Sequence, residues 1–163
     1  MSEQNREKSI RLEQNVNANI QDVWNAWTTE EGVKSFFAPA CNIDLKVGGA
    51  YEMLFNLKAE PGLQGGEGLT IMALQPPKML FFTWNAPPAY PKVRGQLTHV
   101  IVRFDEVSEN ETKVTLNHDG WGEGKEWEEV YDYFVAGWRD SVLRRLKSLF
   151  DSGPFDWRQM DDG

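Results

Sequence analysis

From Lys125 to Phe150 apolar residues recur at helical spacing over about six turns, and this most narrows what the chain can fold into. Trp127, Val130, Tyr131, Phe134, Trp138, Val142, Leu146 and Leu149 share one stripe. Glu126, Glu128, Glu129 and Asp132 crowd its start, and Arg139, Arg144, Arg145 and Lys147 its end. Both sets complement the helix macrodipole. Gly153-Pro154 terminates the helix. A stripe this long and ring-rich needs a broad apolar surface to cover it.

The rest of the chain supplies that surface as strands. From Ser9 the residues alternate, with Ile10, Leu12 and Val16 on one face and Arg11 and Glu13 opposite. Asn19 with Asp22 offers an N-cap, and Ile20, Val23, Trp24 and Trp27 form the stripe of a short helix. Thr28 with Glu31 fits a capping box that opens a second short helix carrying Val33, Phe36 and Phe37, stopped by Pro39. A meander of about six strands follows: Asn42 to Lys46; Tyr51, Met53, Phe55 and Leu57; Leu69 to Leu74; Met79 to Trp84; Thr98 to Phe104; and Val114 to His118. Glu60 to Gly66 and the proline-rich Asn85 to Gly95 read as loops. Short connections give an antiparallel sheet, which must curl around the one long helix. The whole is an α+β fold of about six to seven strands, with two short helices after the first strand.

The 163 residues suit one domain spanning 1–163, with residues 1–7 and 151–163 as tails. Hydrophobic residues are 40% and charged residues 26%, which excludes disordered, collagen-like and coiled-coil chains. Seventeen Lys plus Arg against 25 Asp plus Glu leave a formal charge of -8, which argues against nucleic acid and anionic membrane surfaces as partners. The single cysteine, Cys41, has no internal disulfide partner, and no apolar stretch approaches a membrane span. A soluble, cytoplasmic protein, monomer or homodimer, is the expectation.

Chemistry is sparse. His99, His118 and Cys41 are scattered without metal-ligand spacing, so no metal is expected. No nucleophile elbow or phosphate loop is present, and no catalytic residue or cofactor is assigned. His118 shares a strand face with Val114 and Leu116 and points at the long helix. It reads as a core histidine bonded to a tyrosine hydroxyl such as Tyr131, or as a polar anchor for a ligand. A general base lacks its paired carboxylate.

The residues resemble the START-like helix-grip superfamily. Within it they are similar to the branch named for the C-terminal domain of the activator of heat-shock protein 90 ATPase. The resemblance is carried by Val23-Trp24-Asn25-Ala26-Trp27-Thr28, Phe36-Phe37, Val47-Gly48-Gly49-Ala50-Tyr51, Phe82-Thr83-Trp84, the run Thr115 to Trp121, and Gly137-Trp138 with Val142-Leu143 and Leu146. It spans about residues 9–150. The resemblance implies carriers, cyclases or co-chaperone modules with a stress-response role. By period-2 alternation on the strands, 3.6-residue spacing on the long helix and the place of the second short helix at the sheet's mouth, Phe36, Phe37, Tyr51, Met53, Phe55, Trp84, His118, Tyr131, Phe134 and Trp138 are expected to surround a hydrophobic, ring-binding cavity between sheet and helix. A filled core is the competing reading. The alternative functions are a chaperone-associated module and an enzyme using His118.

Overall fold

The computed structural model describes residues 8–158; the expected frayed start, 1–7, and the end of the tail, 159–163, lie outside the described residues. The order is β1 (Ile10–Val16), α1 (Ile20–Thr28), α2 (Glu30–Lys34), β2 (Ala40–Ile43), β3 (Tyr51–Leu54), β4 (Ile71–Gln75), β5 (Met79–Trp84), α3 (Pro91–Arg94), β6 (Thr98–Ser108) and β7 (Glu111–Asp119). A C-terminal helix follows in three parts: α4 (Lys125–Ala136), a π-helical stretch (Gly137–Leu143) and α5 (Arg144–Asp151).

Five strands form one antiparallel sheet in the order β1-β7-β6-β5-β4. β2 and β3 form a separate pair, joined to the larger sheet's edge by the bridge of Ala50 with Thr70 and by the Tyr51 N–H donating to Leu69 O at 2.9 Å. Period-2 alternation sets the register. Val100 faces His118, Val102 faces Leu116 and Phe104 faces Val114, while from the other side of β7 Ile10 faces His118 and Leu12 faces Leu116. All these residues except half-buried Leu12 are buried, so one apolar face meets the helix. This is the helix-grip arrangement anticipated from the meander and the stripe.

α1 starts as expected: the Asn19 side chain accepts from the Asp22 N–H at 2.9 Å. Its stripe buries Val23, Trp24, Ala26 and Trp27. Asn19→Ala is expected to cost about 1 kcal/mol, lowering the melting temperature by about 2–4 °C in a thermal scan. A loss of zero would mean the cap is idle.

Four local expectations are corrected. The cap of α2 is Thr29, whose hydroxyl accepts from the Gly32 N–H at 3.0 Å. Thr28 still belongs to α1, and its hydroxyl is turned back onto Trp24 O at 2.8 Å. α2 ends at Lys34, so Phe36 and Phe37 lie in the turn beyond it, both fully buried. β3 ends at Leu54 because the Phe55 and Asn56 N–H groups both donate to Gln64 O, which draws the chain off the ladder. Phe55 and Leu57 are left exposed at 38% and 54%. The loop from Asn85 to Gly95 contains a one-turn helix, α3, begun by Pro91 where its missing N–H costs nothing.

The C-terminal helix runs unbroken through its π stretch, since Ala136, Gly137 and Arg144 keep right-handed helical dihedrals. Phe134, Trp138, Val142 and Leu146 are all buried although they follow one another at steps of four. An ideal α-helix would rotate such a row off one face; i→i+5 turns advance less per residue and hold it on the sheet side.

Candidate functional site

Where Trp138 meets the sheet, its indole Nε1–H donates to His118 Nδ1 at 3.0 Å. That nitrogen therefore carries no proton, and the hydrogen sits on Nε2, which donates to the Thr98 hydroxyl at 2.7 Å. Thr98 Oγ1 in turn donates to Trp84 O at 3.3 Å. The chain Trp138–His118–Thr98–Trp84 ties the helix to β7, β6 and β5 with each donor and acceptor matched. His118 has no exposed surface, and burial, with a smaller contribution from His99, pushes its pKa down to about 3. The ring is neutral at ordinary pH.

This network corrects the expected pairing of His118 with Tyr131. Tyr131 lies on the far side of the helix stripe, its hydroxyl donating to Ser9 O at 3.0 Å and its ring meeting Trp121 edge-on at 5.2 Å. Trp121 stacks on His118 at 4.2 Å and closes that side. A ring sealed in this way touches no molecule outside the protein, so the geometry gives His118 a structural task.

Beyond Trp138 the interior opens. Phe37, Phe55, Trp84, Phe134 and Trp138 line a groove of about 200 Å³ between helix and sheet, together with Tyr133, Gly137, Ser141, Val142 and Arg145. A second lobe of about 220 Å³ shares Phe55, Trp84, Tyr133 and Phe134 and extends to the proline-rich loop at Asn85, Ala86, Pro87 and Pro88 and to Arg94. The rings form a continuous wall, with centroids of Trp84 and Trp138 5.2 Å apart and Phe37 5.8 Å from each. Gly137 faces open space: a Cβ built there meets no heavy atom within 4 Å. A broader hollow of about 550 Å³ beside Glu30, Glu31 and Lys34 is open to solvent with a charged rim, and encloses nothing.

Of the ten residues expected around one space, five line this groove. Phe36, Tyr51 and Met53 are fully buried behind it. Phe36 packs on Trp27 at 5.2 Å, and the Tyr51 hydroxyl donates to Trp27 O at 2.7 Å. His118 stands beneath Trp138, and Tyr131 lies elsewhere. Much of the helix–sheet interior is thus packed with rings, and the open part is confined to the side near Gly137. Sequence reading did not reach Tyr133, Ser141 or Arg145. Gly137, Ser141 and Arg145 recur every four residues, a spacing that in hindsight marks the groove side of the π stretch. Among the described residues no three His, Cys, Asp or Glu side chains gather as metal ligands, and no helix is long and apolar enough to cross a membrane.

The sequence matches the family model described as activator of Hsp90 ATPase homolog 1-like protein over residues 17–151, from the turn after β1 through α5. The chain belongs to this Hsp90 ATPase activator-like family. The matched span contains the groove and stops before the tail that follows α5. Solved structures agree in fold. An HSP90 activator from Plasmodium falciparum is similar at 20% identity and a TM-score of 0.65, covering 88% of this chain and 96% of that one. An Aha1 dimer from Colwellia psychrerythraea is similar at 22% identity and a TM-score of 0.68, covering 90% and 98%. CalU16 from Micromonospora echinospora is similar at 22% identity and 0.66, covering 95% and 81%. Comparison with curated proteins returns no match.

Proposed function

We propose that this family member binds an apolar, ring-containing small molecule in the groove between the C-terminal helix and the sheet. The observation that carries the reading is the open space over the bare backbone of Gly137, walled by six aromatic rings. Taken together, the two lobes approach the size of ordinary small-molecule sites, about 300–1,000 Å³. Apolar surface buried there gains about 25 cal/mol per Å². A reducing, cytoplasmic setting suits the lone thiol of Cys41, which burial pushes up to about 11 and so keeps protonated.

Filling the groove tests this. A Cβ added at Gly137 meets no heavy atom within 4 Å, and Gly137→Leu improves helix propensity by about 1 kcal/mol, so the fold is expected to survive. An uncharged fluorescent naphthylamine should bind the wild type about 1:1 and lose that binding in Gly137→Leu. Unchanged binding in the folded variant would move the site elsewhere.

A second reading has support from the family and from the neighbour described as an HSP90 activator: a chaperone-associated module acting in stress. It uses surface, not groove. Purified heat-shock protein 90 ATPase, assayed with wild type and Gly137→Leu, separates the two. Stimulation by both proteins alike would favour the chaperone role.

A further inference from the structure

The second lobe of the groove is walled by two loops, one between β3 and β4 and one between β5 and β6, and a single side chain ties them together. Arg94, the last residue of α3, lines the lobe and reaches across it. Its Nη1 donates to Ala86 O in its own loop, and its Nη2 donates to Gly62 O at 3.0 Å and Gly65 O at 2.7 Å in the other. Glu67 completes the tie. Its Oε1 lies 3.7 Å from Arg94 Nη2 and accepts from the Gln64 and Gly65 N–H groups at 2.8 and 3.0 Å, while its Oε2 accepts from the Gly62 N–H. The Asn85 side chain donates to the same Gly65 O at 3.0 Å. A side chain at Gly65 would collide with Met53 O and the Phe55 ring, so glycine lets this arch lie directly on a ring that both lobes share. The side chains of Arg94 and Glu67 are only 13% and 22% exposed, and burial pulls the Arg94 pKa below the usual arginine value, with Glu67 opposing that shift. A partly buried pair of this kind contributes little net stability; what it fixes is geometry.

We propose that the second lobe is a separate subsite for the far end of an elongated ligand whose first ring lies over Gly137, and that Arg94 and Glu67 are the positioning residues that hold this subsite in shape. The inference rests on the small-molecule reading above and adds the ligand's length. Phe55, Trp84, Tyr133 and Phe134 line both lobes, so a rod-shaped molecule passes from one to the other along a single aromatic wall. Lobes of about 200 and 220 Å³ each take part of such a molecule, whereas a compact one is served by the first lobe alone. Arg94 spends its Nη1 and Nη2 bonds on protein carbonyls and so acts on the ligand through the loops it joins. With the tie cut, the arch must be ordered again each time a ligand end enters, and that cost falls on the long ligand only.

Two uncharged fluorescent probes separate the lobes: N-phenyl-1-naphthylamine, which is compact, and 1,6-diphenyl-1,3,5-hexatriene, a rod with a phenyl ring at each end. The readout is the ratio of their dissociation constants on each folded variant, which a general loss of stability would not move. Arg94→Met is expected to weaken the rod by about 10-fold relative to the compact probe. Arg94→Lys, which keeps a donor within reach of the carbonyls, should shift the ratio by less. Glu67→Gln should shift it in the same direction as Arg94→Met, and it decides the matter if Arg94→Met does not fold. A ratio unchanged in the folded Arg94 and Glu67 variants overturns the proposal while leaving the small-molecule reading intact, as does a wild type that binds the compact probe and not the rod. Failure of both probes to bind the wild type overturns the two together.

Discussion

Acidification from pH 6.5 toward pH 3 is expected to remove up to about 5 kcal/mol of stability through one imidazole, at about 1.4 kcal/mol per pH unit. His118 takes up a proton near 6.5 in the unfolded chain and only near 3 in the folded one. Between those values the unfolded state binds more protons, so its population rises as pH falls. Above 6.5 the contribution is complete. The geometry explains why the folded ring resists the proton. A hydrogen on Nδ1 would point at the Trp138 indole N–H, donor against donor, in a site without water-exposed surface. For a domain whose total stability is about 5–15 kcal/mol, the loss is large. Urea unfolding at half-unit pH steps between 6.5 and 4.5 measures it above the main carboxylate range. His118→Gln, which can still bridge Thr98 and Trp138, should start lower at pH 7 and show a much shallower slope. Equal slopes for the two proteins would mean that His118 titrates normally in the fold. The exposed pairs at Glu13, Asp140, Asp151 and Asp156 hold their carboxyls below the usual range through partner hydrogen bonds, and their loss belongs to lower pH.

Trp138→Ala should cost about 3–5 kcal/mol and lower the melting temperature by roughly 10 °C. The indole is 2% exposed and touches Phe37, Trp84, His118 and Phe134. Its removal leaves a void and deprives His118 Nδ1 of its donor, two costs that share one site. A cycle with His118→Gln should therefore be non-additive by about 0.5–3 kcal/mol. A single-variant cost under about 1 kcal/mol would show that the surrounding rings close over the gap.

The parts of the fold legible in the sequence are those with a strong internal period. Alternation in β6 and β7 placed Val100, Val102, Phe104, Val114, Leu116 and His118 on the inner face, and they are all buried there. The helical stripe identified its buried side from Trp127 to Leu146, and Asn19 announced the start of α1. Boundaries were less legible, because they depend on which of two neighbouring residues wins a shared hydrogen bond. Thr28 and Thr29 are chemically alike, and only the abutting of α1 and α2 makes Thr29 the cap. Phe55 continued an alternation that Gln64, nine residues on, interrupts.

The candidate site divides along the same line. Trp84, Phe134 and Trp138 could be assigned to one space from their faces, since period and face are local properties of the chain, whereas Phe37 and Phe55 reach it from beyond the ends of the helix and strand expected to carry them. That Tyr131 bonds Ser9, that Trp138 bonds His118, and that Arg145 is clamped by Phe155 and Trp157 could not. By itself the sequence determined an α+β chain with an apolar sheet face, a matching helix and an excess of rings between them. The tertiary structure alone decided which rings close on one another and which leave the space beside Gly137. Partners such as Tyr131 and Ser9, 122 positions apart, meet only through the three-dimensional path of the backbone, which no local spacing encodes.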